Sequence, residues 1–138
     1  TLIEVLGVEK GASMYSMEWL RDRVLWHLNP KECLGKVFVF KNTDDAILGH
    51  AICRVERATN GGQMGFFSTL YVVPESRNLG VASQLVRAVH DWFKRNRLPR
   101  SVYNTAKSND PILNLFGKFG YRIHSKHQDM VQLAKDFS

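Results

Sequence analysis

The chain contains 138 residues, 44% of them hydrophobic and 11% aromatic, which is enough to bury one sizeable core and predicts a single domain over residues 1–138. It has no run of 18 apolar residues and no signal-peptide pattern, so we expect a cytoplasmic protein without a membrane span. The formal net charge of +6 invites a nucleic-acid hypothesis, but the basic residues cluster only modestly.

The first predicted elements are a helix and a β-hairpin. The apolar spacing within Met17–Leu28 indicates an amphipathic helix that ends before a proline. Lys36–Lys41 and Ala46–Val55 have the composition of strands, and an Asx-type turn, Asn42–Asp45, joins them. We therefore expect these two strands to pair in the antiparallel sense.

The middle of the chain predicts a buried strand followed by a long helix. Phe66–Val73 is an unbroken run of aromatic and β-branched residues that ends at Pro74, which is typical of a strand buried on both faces. A turn rich in Asn and Gly precedes it, so it is the third antiparallel strand in succession. From Val81 onward, apolar residues recur every three or four positions and form one helical face of about 19 residues.

The turn between that strand and that helix has a composition suited to phosphate binding. Arg77 supplies a charge-assisted donor, Gly80 permits close backbone approach, and Ala82 keeps the first helical turn slim. Unpaired N–H groups and the dipole at a helix N-terminus favour an anion there. Taken alone, Arg-x-x-Gly-x-Ala is a weak motif, and an ordinary loop entering a core helix is the simpler interpretation.

The last third of the chain predicts three strands and a short helix. Ser101–Ala106 returns after the long helix, and such a crossover places it parallel to the central strand. Asn109 or Asp110 caps a short helix with a proline in its first turn. Tyr121–His124 and Met130–Leu133 then form an antiparallel pair.

Two motifs at this separation, taken together, are more specific than either alone. Arg77, Gly80 and Ala82 follow a strand that ends in Tyr-Val-Val-Pro. The segment from Asn109 to Tyr121 reads Asn-Asp-Pro-Ile-Leu-Asn-Leu-Phe-Gly-Lys-Phe-Gly-Tyr. In both motifs the chain resembles the GNAT superfamily of acyl-CoA-dependent N-acyltransferases. The resemblance implies an α/β (α+β) fold with a mixed, mostly antiparallel central sheet of six or seven strands, a splayed parallel strand pair and flanking helices.

The resemblance also implies acetyl-CoA as the acyl donor. Pantetheine would pair with the backbone of the central strand, a backbone N–H near Val72 would polarise the thioester carbonyl, and the pyrophosphate would lie on the loop before the helix. Ser83 would lie near the 3′-phosphate, and Asn109 would steady the pantetheine arm. The residues so implied in cofactor binding are Leu70, Tyr71, Val72, Val73, Arg77, Asn78, Leu79, Gly80, Val81, Ala82, Ser83, Asn109 and Phe116.

The general base is less clearly indicated. Many relatives carry a carboxylate near the start of the central strand, where this chain has Gln63, Met64 and Gly65. The candidates are His50 first, because imidazole titrates near neutral pH, and then Glu56 and Ser68. A base that acts through water, or an amine that arrives neutral, would serve as well.

The general acid shows a clear departure from the family pattern. Phe116 stands where relatives usually have a Tyr that protonates the leaving thiolate. Phe cannot donate a proton, which puts catalytic efficiency in doubt. Tyr121 is expected in the core, and Tyr103 and Ser108 are speculative substitutes.

Three functions are therefore compared. The first is an N-acetyltransferase that acts on an amine of a small molecule, peptide or protein in a ternary complex, as a monomer or homodimer. The second is a catalytically weak or inactive acyl-CoA-binding module on the same fold, in line with Phe116. Nucleic-acid binding ranks lowest because no recognition motif is present.

Cys33 and Cys53 lie in no metal-binding spacing, so no metal is expected. In relatives the corresponding helix often borders the acceptor pocket, so Trp19, Trp26 and His27 could recognise the substrate, although packing is the favoured role for both tryptophans.

Overall fold

The structure is a computed structural model that describes residues 17–31, 33–57, 59, 61–77 and 80–137, with side chains from residue 21 onward. The helices are α1 (Met17–Leu28), α2 (Val81–Arg95) and α3 (Asp110–Lys118). The strands are β1 (Gly35–Lys41), β2 (Ile47–Arg57), β3 (Gln63–Val72), β4 (Arg100–Ala106), β5 (Arg122–His127) and β6 (Met130–Asp136). A short 3₁₀ turn, Pro74–Ser76, connects β3 towards α2.

The strands form one six-stranded sheet in the order β1-β2-β3-β4-β6-β5. Every neighbouring pair is antiparallel except β3 and β4, as the crossover through α2 requires. That parallel pairing is recorded only at Gly65 with Ser101 and at Phe66 with Val102. Beyond Phe66 the two strands diverge. The predicted mixed sheet with a splayed parallel pair is therefore confirmed.

Helix α2 is shorter than the sequence pattern indicated. It has 15 residues rather than about 19, because the chain leaves the helix after Arg95. Arg97 adopts a left-handed φ of 58°. Its N–H donates to the carbonyl of Lys94 at 2.9 Å, and the N–H of Leu98 donates to the carbonyl of Phe93 at 3.0 Å. These two bonds are those of a Schellman motif, which ends helices. Leu98 is still buried, so its apolar character belonged to the cap rather than to another helical turn.

The main core lies between the sheet and helices α2 and α3. Phe67, Leu70 and Val72 of β3 pack in one cluster with the apolar face of α2 and with Phe116 of α3. Gly65 lets α2 approach closely, because a Cβ there would lie 2.6 Å from the ring of Phe93. Burial of this many apolar side chains supplies most of the stability expected of a domain this size.

Helix α1 covers the opposite face of the sheet. A smaller apolar cluster there contains Ile52 and Tyr71, with Val24 of α1 packed against it. This face also contains polar residues, among them several that the sequence proposed for chemistry, such as His50 and Ser68. Across the described part of the chain, no helix has the length and apolar character needed to span a membrane.

Candidate functional site

The splay between β3 and β4 leaves one edge of β3 without a neighbouring strand along most of its length. Pairing with β4 is recorded only up to Phe66, whereas pairing with β2 continues to Val72. Leu70, Tyr71 and Val72 lie in this open part of β3. The edge presents backbone donors and acceptors to whatever enters the splay, as at the edge of any sheet.

The loop after β3 brings the start of α2 next to the end of that open edge. The Nε–H of Arg77 donates to the carbonyl of Val72 at 2.9 Å, and its guanidinium lies 5.6 Å from the ring centroid of Tyr71. Arg77 is exposed and therefore connects strand and loop at the surface. Asn78 and Leu79 lie outside the described residues.

Helix α2 begins with a glycine in a conformation that other residues adopt at a cost. Gly80 has φ 82° and ψ 2°, and no side chain caps the helix at this position. A Cβ on Gly80 would meet nothing within 4 Å, so the backbone angle rather than crowding favours glycine. Val81 is buried, whereas Ala82 and Ser83 are half-buried. The first-turn N–H groups thus face the loop at the positive end of the helix dipole.

Asn109 links the end of β4 to α3. Its Oδ1 accepts from the N–H of Ile112 at 3.4 Å, and its Nδ2 donates to the hydroxyl of Thr105 at 3.2 Å. Asn109, rather than Asp110, is therefore the N-cap. Both polar ends of its side chain already have partners in the protein, so any contact with pantetheine would be shared with these bonds.

The central strand contains a β-bulge that the sequence did not reveal. Ile52 of β2 is paired with Thr69, whereas the next residue, Cys53, is paired with Phe67. Ser68 is thus the extra residue of β3. Bulges bend a strand, increase its twist and are frequent beside active sites. This bulge lies two residues after the last recorded pair between β3 and β4.

Helix α1 contacts the bulge through one side chain. Arg23 donates to the hydroxyl oxygen of Ser68 through Nε, at 2.8 Å, and also through Nη2. The hydroxyl of Thr69 lies 3.5 Å from the same oxygen. Ser68 is therefore held as a hydrogen-bond acceptor, and that role does not suit a hydroxyl for removing a proton from an amine.

A second arginine organises the polar groups further along the same face. Arg54 donates to Oε1 of Glu56 through Nε at 2.8 Å and through Nη2 at 2.5 Å. Its guanidinium lies 4.2 Å from the ring centroid of Phe66 and 5.2 Å from that of Trp26. Both recorded bonds to Glu56 go to one oxygen, and the side chain of Glu56 is 34% exposed.

His27 joins this arginine to helix α1. Its Nδ1 lies 2.7 Å from the carbonyl oxygen of Arg23, and its Nε2 lies 2.9 Å from Nη1 of Arg54. Since a carbonyl only accepts and a guanidinium only donates, Nδ1 is protonated and Nε2 accepts. Burial, and then the nearby arginines, lower the pKa of His27 below its usual value, although its bond to the backbone of Arg23 opposes this shift. Neutral His27 is the form that this arrangement requires.

An open depression of about 400 Å³ lies beside these groups, lined by Asp22, Arg23, Trp26, His27 and Arg54. We call it the α1 pocket. It has both acidic and basic groups at its rim and an indole that is 39% exposed. Small-molecule sites usually combine an apolar wall with a few polar groups in this way.

His50 lies in a different environment from the other proposed bases. It is paired with Tyr71 across β2 and β3, and the two rings stack with centroids 5.8 Å apart. The side chain is 0% exposed, and among the described residues neither ring nitrogen has a hydrogen-bond partner. Burial lowers the pKa of His50 to about 4. The imidazole is therefore neutral at pH 7, but it is weakly basic and shielded from solvent.

Phe116 is completely buried in a cluster of aromatic rings. Its centroid lies 4.4 Å from that of Tyr103, 4.8 Å from Tyr121 and 5.4 Å from Phe67. Tyr121 is buried as expected, and its hydroxyl lies 2.7 Å from Nε2 of His90 and 2.6 Å from the hydroxyl of Ser101. Phe116 and Tyr121 are therefore core residues.

Sequence reasoning missed Arg23 and Arg54 as members of the site. Neither residue belongs to a motif, and Arg23 contacts Ser68 across a sequence separation of 45 residues. No periodicity or local spacing signals such a contact. Within the described ranges, no group of three or more His, Cys, Asp or Glu side chains could hold a metal ion.

Comparison with known proteins decides the family. The sequence model of the acetyltransferase (GNAT) family matches residues 7–121. This chain belongs to the GNAT family. The GNAT fold is also evident from solved structures that are each about one fifth identical in sequence. A chain of the NatC complex bound to Gag peptide and CoA superposes with a TM-score of 0.71 at 21% identity, covering 90% of this chain and 81% of that chain.

Two further proteins illustrate the range of the likeness. A GNAT acetyltransferase from Elizabethkingia anophelis with acetyl-CoA bound has a TM-score of 0.67 at 18% identity, covering 86% of this chain and 82% of that one. Uncharacterized N-acetyltransferase YobR of Bacillus subtilis (strain 168) is 32% identical over 63 residues. That match covers 46% of this chain and 26% of YobR, so it spans about a quarter of the relative's length.

Proposed function

We propose that this protein transfers an acetyl group from acetyl-CoA to an amine, by direct attack in a ternary complex. The observation that supports this most is the open edge of β3 leading to the start of α2 at Gly80. An extended pantetheine arm can pair with such an edge, and a pyrophosphate is stabilised by N–H groups at a helix N-terminus. The family membership supports the same donor.

The acyl-donor residues are those that the sequence indicated. Leu70–Val73 would pair with pantetheine, and the loop 77–82 with Ser83 would bind the phosphates. Asn109 would contact the arm from the opposite strand, and Phe116 would contribute the apolar ring behind it. Arg77 is exposed beside the loop, where its guanidinium can add a charge-assisted bond to phosphate.

The three proposed bases lie beside different parts of β3, so each would serve a different position of the acyl group. Glu56 is paired with Met64, close to where relatives carry a carboxylate. From Met64 to Val72 the strand extends roughly 26 Å at about 3.3 Å per residue, whereas Ser68 is roughly 13 Å from Met64. Glu56 can therefore assist only if the acyl group lies towards the bulge. His50 is the candidate if the acyl group lies at Val72, because it pairs with the adjacent Tyr71.

We favour Glu56, acting through a chain of water molecules, with the thioester carbonyl towards the bulge and Val72 as a pantetheine contact. The α1 pocket adjoins this end of the strand and offers room for the amine. Arg54 occupies only Oε1 of Glu56, and the carboxylate is partly exposed. His50 is enclosed and weakly basic, and Ser68 is engaged by Arg23.

The function is tested by presenting acetyl-CoA with a panel of amines and measuring free thiol. The panel contains a small primary amine, a peptide with a free N-terminus and an N-blocked peptide with one lysine. We expect one class to release thiol at a rate above hydrolysis. We expect Glu56→Gln to lower kcat by about 10²- to 10⁴-fold, the usual contribution of general acid–base catalysis, without weakening CoA binding.

The control for that test is Asp44→Asn in the exposed β1–β2 turn, which should keep full activity. If the rate is unchanged in Glu56→Gln but lost in His50→Leu, His50 is the base and the thioester carbonyl lies at Val72. Binding of CoA with no turnover of any amine would instead favour the acyl-CoA-binding module. The burial of Phe116, which cannot protonate a thiolate, is the observation that supports this second function.

The cofactor loop is tested with two matched glycine substitutions. Gly80→Ala forces a side chain into a left-handed conformation at a cost of roughly 1–2 kcal/mol, so the loop should shift. We expect calorimetry to show CoA binding at least about tenfold weaker. Gly117→Ala in α3 introduces the same Cβ into equally open space at a right-handed helical position. It should leave CoA affinity unchanged, and equal effects of the two variants would argue against this loop as the phosphate site.

A further inference from the structure

The bulge of β3 lies where this strand has the least support from its neighbours. Ser68 has no paired residue on β2, and the recorded pairing with β4 ends at Phe66. A bulge also interrupts the hydrogen-bond ladder locally. The conformation of β3 at Ser68 therefore depends on contacts from outside the sheet.

The contact observed there comes from helix α1. Arg23 directs two N–H groups, Nε–H and Nη2–H, to the one hydroxyl oxygen of Ser68. A guanidinium presents these donors in a fixed plane, so the pair restrains both the position and the orientation of Ser68. A lysine at position 23 has a single flexible ammonium and could not do the same.

The main chain of Arg23 is itself held in place. Its carbonyl oxygen accepts from Nδ1 of His27, and the other ring nitrogen of His27 accepts from Arg54. Arg54 also holds Glu56. The bulge, helix α1 and the proposed base thus belong to one continuous set of hydrogen bonds.

Arg23 also lines the α1 pocket, where the proposed function places the amine. We propose that Arg23 is a positioning residue that holds the β3 bulge from helix α1 and so makes alignment of the acyl group depend on the acceptor side of the site. This inference rests on the proposed function for its catalytic consequence, but not for its structural one. An acceptor that displaces α1 or Arg23 would alter the strand that carries the thioester.

The structural consequence is tested by amide hydrogen exchange in the protein without ligand. We expect Arg23→Lys and Ser68→Ala each to raise exchange of the Phe67–Thr69 amides by about tenfold or more, because local opening becomes easier. The double variant should exchange no faster than either single variant, since both remove the same contact. Arg21→Lys, an exposed arginine on the same helix, should have no effect.

The catalytic consequence is tested with acetyl-CoA and the amine class that the panel selects. We expect Arg23→Lys to lower kcat by about tenfold while the calorimetric Kd for CoA stays within about twofold. Ser68→Ala should match it, and the double variant should be no worse than either single variant.

Three results would overturn the inference. They are unchanged amide exchange in Arg23→Lys, strictly additive effects in the double variant, and a loss confined to the KM of the amine. The exchange experiment needs no turnover, so an inactive wild-type protein would contradict the proposed function while leaving the bulge contact to be judged by itself.

Discussion

The two faces of the central sheet have opposite chemical character. The face towards α2 and α3 is an apolar core in which Phe67, Leu70 and Val72 pack against helical side chains. The face towards α1 has a small apolar cluster and a polar set that includes Arg54 and His50. One strand, β3, contributes to both faces.

The difference indicates how one small domain combines stability with a reactive site. Apolar burial on the first face stabilises the fold without directional requirements. On the second face, Arg54 and His27 are paired by hydrogen bonds, whereas buried His50 has no hydrogen-bond partner among the described residues. The bulge at Ser68 lies on the second face, where local disruption of β3 costs little apolar contact.

The largest expected effect on stability comes from removing an apolar side chain from the face towards α2 and α3. Phe116→Ala removes a ring that is 0% exposed and in contact with three aromatic side chains, and it should lower the free energy of unfolding by about 3–5 kcal/mol. Denaturant titration at pH 7 measures this loss. Phe119→Ala, a partly buried phenylalanine next to the same helix, should lose clearly less. Equal losses would show that the aromatic cluster is not the stabilising centre of this face.

Acid pH tests the comparison further, because His50 on the α1 face and His90 on the core face are both buried. Burial lowers the pKa of His50 and of His90 to about 4, whereas an unfolded histidine has a pKa near 6.5. The unfolded state therefore binds more protons between these values. Stability should be complete above about pH 6.5 and fall as the pH decreases towards 4, by up to about 1.4 kcal/mol per pH unit for each histidine.

The variant that separates the two histidines is His50→Leu. His50 has no hydrogen-bond partner among the described residues, so leucine should keep stability at pH 7 and reduce the acid-induced loss. His90→Leu removes a bond to Tyr121 and should destabilise the protein at pH 7. Denaturation curves at pH 7, 6 and 5 measure both effects. An unchanged pH dependence in His50→Leu would mean that this histidine has the same pKa in the folded and unfolded protein.

Much of the fold could be predicted because its signals are local. Alternating and run-type apolar patterns indicated the strands, three- and four-residue spacing indicated α2, and Gly80 marked its start. The length of α2 was overestimated, since Leu98 continues the apolar pattern but belongs to the cap that Arg97 forms. Apolar periodicity reports burial, and burial continues beyond the end of a helix.

The candidate site was predictable only in part. The open edge at Leu70–Val72 and the loop at Arg77 followed from the motif and the crossover connection. The enclosure of His50 did not, because it depends on tertiary packing, in which the ring of His50 stacks on that of Tyr71. His50 was predicted as the base because a free imidazole titrates near neutral pH, whereas its buried environment sets its actual basicity.

By itself, the sequence determined the order of helices and strands, the parallel crossover and the glycine at the start of α2, because each depends on neighbouring residues or on the path of the chain. Only the tertiary structure decided where β3 bulges, which arginine holds Ser68 and which side chains line the α1 pocket. Those features arise from contacts between residues far apart in sequence, where packing of α1 on the sheet selects the partners.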